Sequence, residues 1–140
     1  FLCQELTDKR IPSILFWGNR TKAAFTIIKD FERLGIEINF ATDDGSLGFQ
    51  GTVTELLKTK ISAYHNMKMF ACGPNAMLNQ VKKIAAEINM PCQVSLETMM
   101  ACGFGVCLGC NVSSHADPNG YKYVCKQGPV FDAGEIEIGD

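Results

Sequence analysis

Up to about residue 96 the chain alternates two patterns, short apolar runs and stretches whose apolar residues recur every three or four positions. Residues 14–18 (ILFWG) read as a buried strand ending in glycine. Thr21 fits the N-cap of a following helix, with Ala24, Phe25, Ile28, Phe31 and Leu34 on one side and Gly35 closing it. Residues 36–41 alternate and predict a second strand, and a helix is expected over about 52–60. Residues 67–72 predict a third strand. The helix after it has Met77, Val81, Ile84, Ala85 and Ile88 at helical spacing, and residues 92–96 predict a fourth strand. Strands alternating with helices imply an α/β fold, a Rossmann-like parallel sheet with helices on both faces.

On such a sheet, ligands bind beyond the carboxyl ends of the strands. Three polar or glycine-rich segments fall there: Gly18-Asn19-Arg20, Thr42-Asp43-Asp44-Gly45 and Cys72-Gly73-Pro74. Each alone reads as turn chemistry. Three at one sheet edge point toward a nucleotide pocket.

From about Glu97 the pattern gives way to loops, glycines and cysteines, which places a boundary near residue 92. Residues 1–92 then form the sheet domain, and residues 93–140 form a small second domain that a metal group would help to fold. In this second part Cys102, Cys107, Cys110 and Cys125 are spaced C-x4-C-x2-C-x14-C. Such C-x4-C-x2-C…C spacing is the plant-type pattern for a [2Fe–2S] cluster. Gly103, Gly105 and Gly109 let the loop wrap closely and aim amides at the sulfurs. An all-thiolate structural zinc site is the alternative, although zinc ligands more often come two and two. Paired disulfides fit poorly with seven cysteines and no signal-peptide pattern.

Composition narrows the classes further. At 140 residues with 46% hydrophobic content the chain can build a packed core. Net charge is −2 with scattered basic residues, so no nucleic-acid footprint is expected. No apolar run approaches membrane-span length. The cysteines suit a reducing, cytoplasmic compartment.

Cys72-Gly73-Pro74 followed by Met77 resembles the CGPxxM signature of the ferredoxin–NADP reductase family. Gly18-Asn19-Arg20-Thr21 resembles its G-x-R-[ST] segment, and residues 42–51 (TDDGSLGFQG) the segment after its third strand. The module SLETMMACGFGVCLGC…YKYVCKQGPVF resembles one branch, the electron transfer subunits of class 1B dihydroorotate dehydrogenase. That resemblance implies FAD, a [2Fe–2S] cluster and NAD as cofactors. It implies an FMN-containing catalytic subunit that oxidises dihydroorotate as partner, in a heterotetramer serving pyrimidine biosynthesis. Cys102, Cys107, Cys110 and Cys125 would be the cluster ligands. Gly18, Arg20, Asp44, Gly45, Cys72, Gly73 and Pro74 would line the nicotinamide-nucleotide side, with Cys72 near the meeting point of nicotinamide and flavin. An aspartate in place of the first cluster cysteine marks many related NAD(P)H–ferredoxin oxidoreductase subunits, so Cys102 favours the dihydroorotate branch.

The family's flavin-binding β-barrel, with its R-x-[YF]-[ST] motif, has no counterpart in this sequence. Neither do its first nucleotide-domain strand and G-G-G loop. The chain is therefore expected to be an N-terminally truncated piece, with two unpartnered strand edges and no FAD-dependent NADH oxidation of its own. No general acid or base is assigned. Phe104, Val106 and Leu108 are candidates for a docking surface. His65 and His115 are expected at the surface, Cys3 and Cys92 in the core, and Met67, Met69, Met77, Met99 and Met100 in packing roles.

Overall fold

The structure is a computed structural model in which residues 1–139 are described. By its internal packing the chain divides into two units, Phe1–Ala63 and Tyr64–Asp140.

The first unit opens with helix α1 (Leu2–Asp8) and strand β1 (Ile14–Asn19). A short helix α2 (Ile28–Glu32), strands β2 (Glu37–Thr42) and β3 (Phe49–Gln50), and helix α3 (Val53–Lys60) follow. The three strands form a parallel sheet in the order β1-β2-β3, with Trp17 opposite Phe40. Helix α3 starts at a capping box. The Thr52 hydroxyl accepts from the Glu55 N–H at 3.2 Å, and the Glu55 carboxylate accepts from the Thr52 N–H at 2.7 Å.

The helix expected from Thr21 does not form as one piece. A 3₁₀ turn at Lys22–Ala24 is followed by a break at Phe25 (φ −88°, ψ 83°), and α2 begins only at Ile28. Two causes act together. The β-branched run Thr26-Ile27-Ile28 has little helical preference. Phe25 is also drawn inward, edge-on to Trp17 at 5.1 Å and to Phe40 at 5.3 Å, which leaves its ring buried. Such aromatic pairs contribute about 0.5–1.5 kcal/mol each beyond area burial, enough to override weak local propensity.

The second unit contains strand β4 (Met69–Cys72), helix α4 (Asn75–Glu87) and strand β5 (Cys92–Ser95). Strands β6 (Asn111–Ser113) and β7 (Tyr121–Tyr123), helix α5 (Val124–Gln127) and strand β8 (Val130–Asp132) complete it. β4 and β5 are parallel, and β8 joins β5 antiparallel with Val94 opposite Phe131. Leu78 of α4 and Val94 of β5 are fully buried, as is Ile136, and Val124 and Phe131 are nearly so. The composition changes near residue 92, yet the packing division falls at residues 63 and 64. The reason is β8: it comes from the cysteine-rich stretch and pairs with β5, tying that stretch to the β4–β5 sheet.

β1 and β4 each stand at one end of their sheet orders. Among the described residues, no helix is long and apolar enough to cross a membrane.

Candidate metal centre

Antiparallel pairing explains how cysteines fifteen positions apart in sequence become neighbours. β6 and β7 form a hairpin with Asn111 opposite Tyr123. Its turn is closed by Asp117, whose carboxylate accepts from the Asn119 N–H at 2.9 Å and whose carbonyl accepts from the Gly120 N–H at 2.9 Å. Cys110 immediately precedes β6, and Cys125 lies in α5, just after β7. The register therefore brings them together: the Val124 N–H donates to the Cys110 carbonyl at 3.1 Å, and the Cys125 N–H to the Cys110 Sγ at 3.5 Å.

The loop holding the other two cysteines turns its amides toward sulfur. Val106 and Cys107 donate their N–H groups to the Cys102 Sγ at 3.4 and 3.5 Å, and Gly109 donates to the Cys107 Sγ at 3.4 Å. The backbone accommodates this through residues in the left-handed region. Gly103 and Gly105 reach it freely, but Leu108 also sits there (φ 60°), uncommon for a large side chain. Such strain persists where surrounding structure requires it, often at functional sites.

These bonds change the chemistry of the thiols. Cys102 is pulled down to about 6 by the N–H groups of Cys107, Phe104 and Val106 and by the Cys107 side chain. Cys110 is lowered by the N–H and the thiol of Cys125, and Cys125 is raised because its thiol serves that anion. Buried Cys92 is raised by desolvation and then by the charge of Asp132. One expected result follows for metal-free protein. At pH 7 iodoacetamide should label Cys102 roughly tenfold or more faster than Cys92 or Cys125, since the thiolate is the nucleophile. Labelling should slow as pH falls through about 6, where Cys102 takes up its proton; peptide mass spectrometry resolves the sites.

Does this set fit an iron–sulfur cluster? The four cysteines fall into two hydrogen-bonded pairs, Cys102 with Cys107 and Cys110 with Cys125. A [2Fe–2S] cluster would be held by four thiolates, and amide donors to sulfur would tune such a centre. The donor set and its amide lining fit the cluster.

The nucleotide-type residues fall in both units. In the first, the Asp44 N–H donates to the Arg20 carbonyl at 3.3 Å, which joins the ends of β1 and β2. The Asp44 carboxylate accepts from the Ser46 hydroxyl at 2.5 Å and the Ser46 N–H at 2.9 Å, which together hold it below the usual carboxylate range. Ser46 in turn accepts from the Lys22 N–H at 2.7 Å. Gly45 forms the turn (φ 71°), and Gly18 has a packing reason of its own, since a Cβ there would lie 2.7 Å from the Val53 Cβ. In the second unit, Cys72 is exposed at the end of β4, Gly73 follows, and Pro74 opens α4, which has no side-chain cap.

The remaining expectations divide. His65 and His115 are exposed, and His115 pairs with Glu137 at 3.0 Å. Cys92 is buried as expected, whereas Cys3 is only half-buried. Met99 and Met100 do not pack: they are 90% and 52% exposed. Phe104, Val106 and Leu108 of the same stretch are exposed as well. A cleft of about 290 Å³ lined by Asn75, Glu97, Thr98, Asn111 and Glu137 had no counterpart in the sequence reading. Its one signal in the structure is the buried, unpartnered Thr98 hydroxyl.

Parallel α/β sheet segments and an amide-lined set of four cysteines mark the ferredoxin reductase fold class with an iron–sulfur binding domain. Residues 97–137 match the iron–sulfur cluster binding domain of dihydroorotate dehydrogenase B. The chain is 38% identical over 137 residues to the dihydroorotate dehydrogenase B (NAD⁺) electron transfer subunit of Desulforamulus reducens, covering 97% of this chain and 52% of that protein. It is 36% identical to the same subunit of Bacillus caldolyticus, covering 98% of this chain and 51% of that protein. A solved NADH-dependent reduced ferredoxin–NADP oxidoreductase superposes with a TM-score of 0.82 at 25% identity, covering 98% of this chain and 48% of that one. Over nearly its whole length the chain is similar to dihydroorotate dehydrogenase B electron transfer subunits, and it spans about half the length of the curated relatives it matches.

Proposed function

We propose that this chain is the cluster-bearing part of an electron transfer subunit of dihydroorotate dehydrogenase. It would relay electrons between NAD and FAD on one side and an FMN-containing catalytic subunit in pyrimidine biosynthesis on the other. The observation that carries this reading is the pairing of Cys102 with Cys107 and of Cys110 with Cys125, each pair lined by backbone amides, within the matched stretch. When bound on these four thiolates, a [2Fe–2S] cluster supplies one-electron transfer. The chain's own work is to hold the sulfurs, direct amides at them and present the loop to a partner.

Residues 1–92 are read as part of an NAD-binding domain and residues 93–140 as the cluster domain. Gly18, Arg20, Asp44 and Gly45, and separately Cys72, Gly73 and Pro74, are read as nucleotide-facing. The Asp44 carboxylate, ionised through Ser46, suits a ribose hydroxyl, and the Arg20 guanidinium suits a ribose or a phosphate. The assembly is read as a cytoplasmic heterotetramer.

A related NAD(P)H–ferredoxin oxidoreductase subunit is a second reading, supported by the structural likeness to the ferredoxin–NADP oxidoreductase. Cys102 and the sequence identity to dihydroorotate dehydrogenase subunits over nearly the whole chain favour the first. Anaerobic reconstitution with iron and sulfide tests the centre. The expected product is reddish-brown, with about two irons per chain and an electron paramagnetic resonance signal on reduction. A colourless product that takes up one zinc and no iron overturns the reading. Co-expression with the dihydroorotate-oxidising subunit separates the two branches: a stable complex is expected, and none forms if the second reading holds.

A further inference from the structure

Lys126 follows Cys125 directly, and its stem lies on the cysteine loop. A Cβ added to Gly105 would meet the Lys126 Cδ at 3.3 Å and its Cβ at 3.9 Å. Gly105 also has φ 87°, so both its backbone and its missing side chain leave room for this stem. The same glycine directs its N–H toward the Cys125 sulfur. The lysine stem therefore rests on the loop residue that reaches back to the fourth cysteine. Long lysine stems commonly cover surface in this way while the ammonium stays in water. The ammonium lies two bonds beyond Cδ.

The charge is not used elsewhere. Between residues 99 and 129 the lysines are Lys122 and Lys126, and the one acidic residue is Asp117. Lys122 is bound to Glu135 at 2.6 Å. Among the described residues Lys126 has no ion-pair partner. It is thus the uncompensated lysine of the cysteine-rich stretch, directly after Cys125 and with its stem on the cysteine loop.

We propose that Lys126 sets the reduction potential of the cluster, through the positive charge that its stem holds against Gly105. The proposal rests on the cluster reading above. A four-thiolate cluster is anionic and gains one further negative charge on reduction, so a nearby cation favours the reduced form and raises the potential. Because Lys126 is exposed, salt should weaken the effect.

The test is a midpoint potential titration of the reconstituted full-length subunit, followed by visible absorption and paramagnetic resonance. Lys126→Met keeps the stem and removes the charge. It is expected to retain iron and to titrate at a lower potential than the unsubstituted protein. Lys126→Glu should shift it further in the same direction, and Lys126→Arg should restore the original value. The shift of Lys126→Met should shrink as salt rises from ~0.05 to ~0.5 M. If the loaded, signal-bearing Lys126→Met and Lys126→Glu proteins titrate with the unsubstituted one, the role of Lys126 is overturned and the cluster reading stands. If the unsubstituted protein takes up no iron, both are overturned.

Discussion

Replacing Cys110 with serine is expected to abolish cluster assembly. Cys110 is almost fully buried, held at the start of β6 by its carbonyl bond from Val124 and joined through sulfur to Cys125. A serine oxygen is shorter and harder than a thiolate and cannot reach or bind iron as well from a position the hairpin fixes. The visible absorption of reconstituted Cys110→Ser should fall at least tenfold, and Cys125→Ser should behave alike. Cys72→Ser and Cys92→Ala should keep colour and iron, since neither thiol belongs to the two pairs. Thermal unfolding should record a second loss. A group bound only by the folded state stabilises by about 4 kcal/mol at a thousand times its dissociation constant. No residue from 97 to 109 is buried, so the cysteine loop has little else to order it. Full iron content in Cys110→Ser would remove this residue from the ligand set.

The second large effect concerns docking. Phe104 and Val106 are 68% and 71% exposed, on the loop that carries Cys102 and Cys107. Exposed apolar side chains on the loop of a proposed cluster site fit a partner that covers them and excludes water. Covering each contributes about 1.5–3 kcal/mol, and about 1.4 kcal/mol is a factor of ten in affinity. Under the proposed function, Phe104→Asp together with Val106→Asp is therefore expected to weaken binding to the catalytic partner subunit by roughly a hundredfold or more. The cluster spectrum should be unchanged, since the Val106 contribution to Cys102 is its N–H. Calorimetric titration of one subunit into the other measures this. An affinity within threefold of the unsubstituted value would show that the patch faces solvent in the complex.

Local pattern made most of the elements legible. The apolar runs became β1, β2, β4 and β5, and the helical spacing of Val81, Ile84 and Ala85 became the buried face of α4. The Thr52 and Glu55 pair is a start signal that needs no distant partner. The reading failed where distant residues outvoted local ones. Phe25 was placed on a helix by spacing, but the rings of Trp17 and Phe40 hold it in a break. The two-residue β3 carries no pattern of its own and exists because β2 offers it an edge. Met99 and Met100 have core-type side chains and no core to enter.

The cysteine spacing was sufficient by itself to name a candidate metal centre and its four ligands, because thiolate chemistry and loop length are properties of the chain. Which thiols pair, which amides serve them and where Lys126 lies were decided only by tertiary structure. The β6–β7 register sets Cys110 beside Cys125, and the left-handed backbone at Gly105 and Leu108 turns the loop onto its own sulfurs. Such contacts join residues far apart in sequence, and their free energy comes from the assembled fold, not from any one segment.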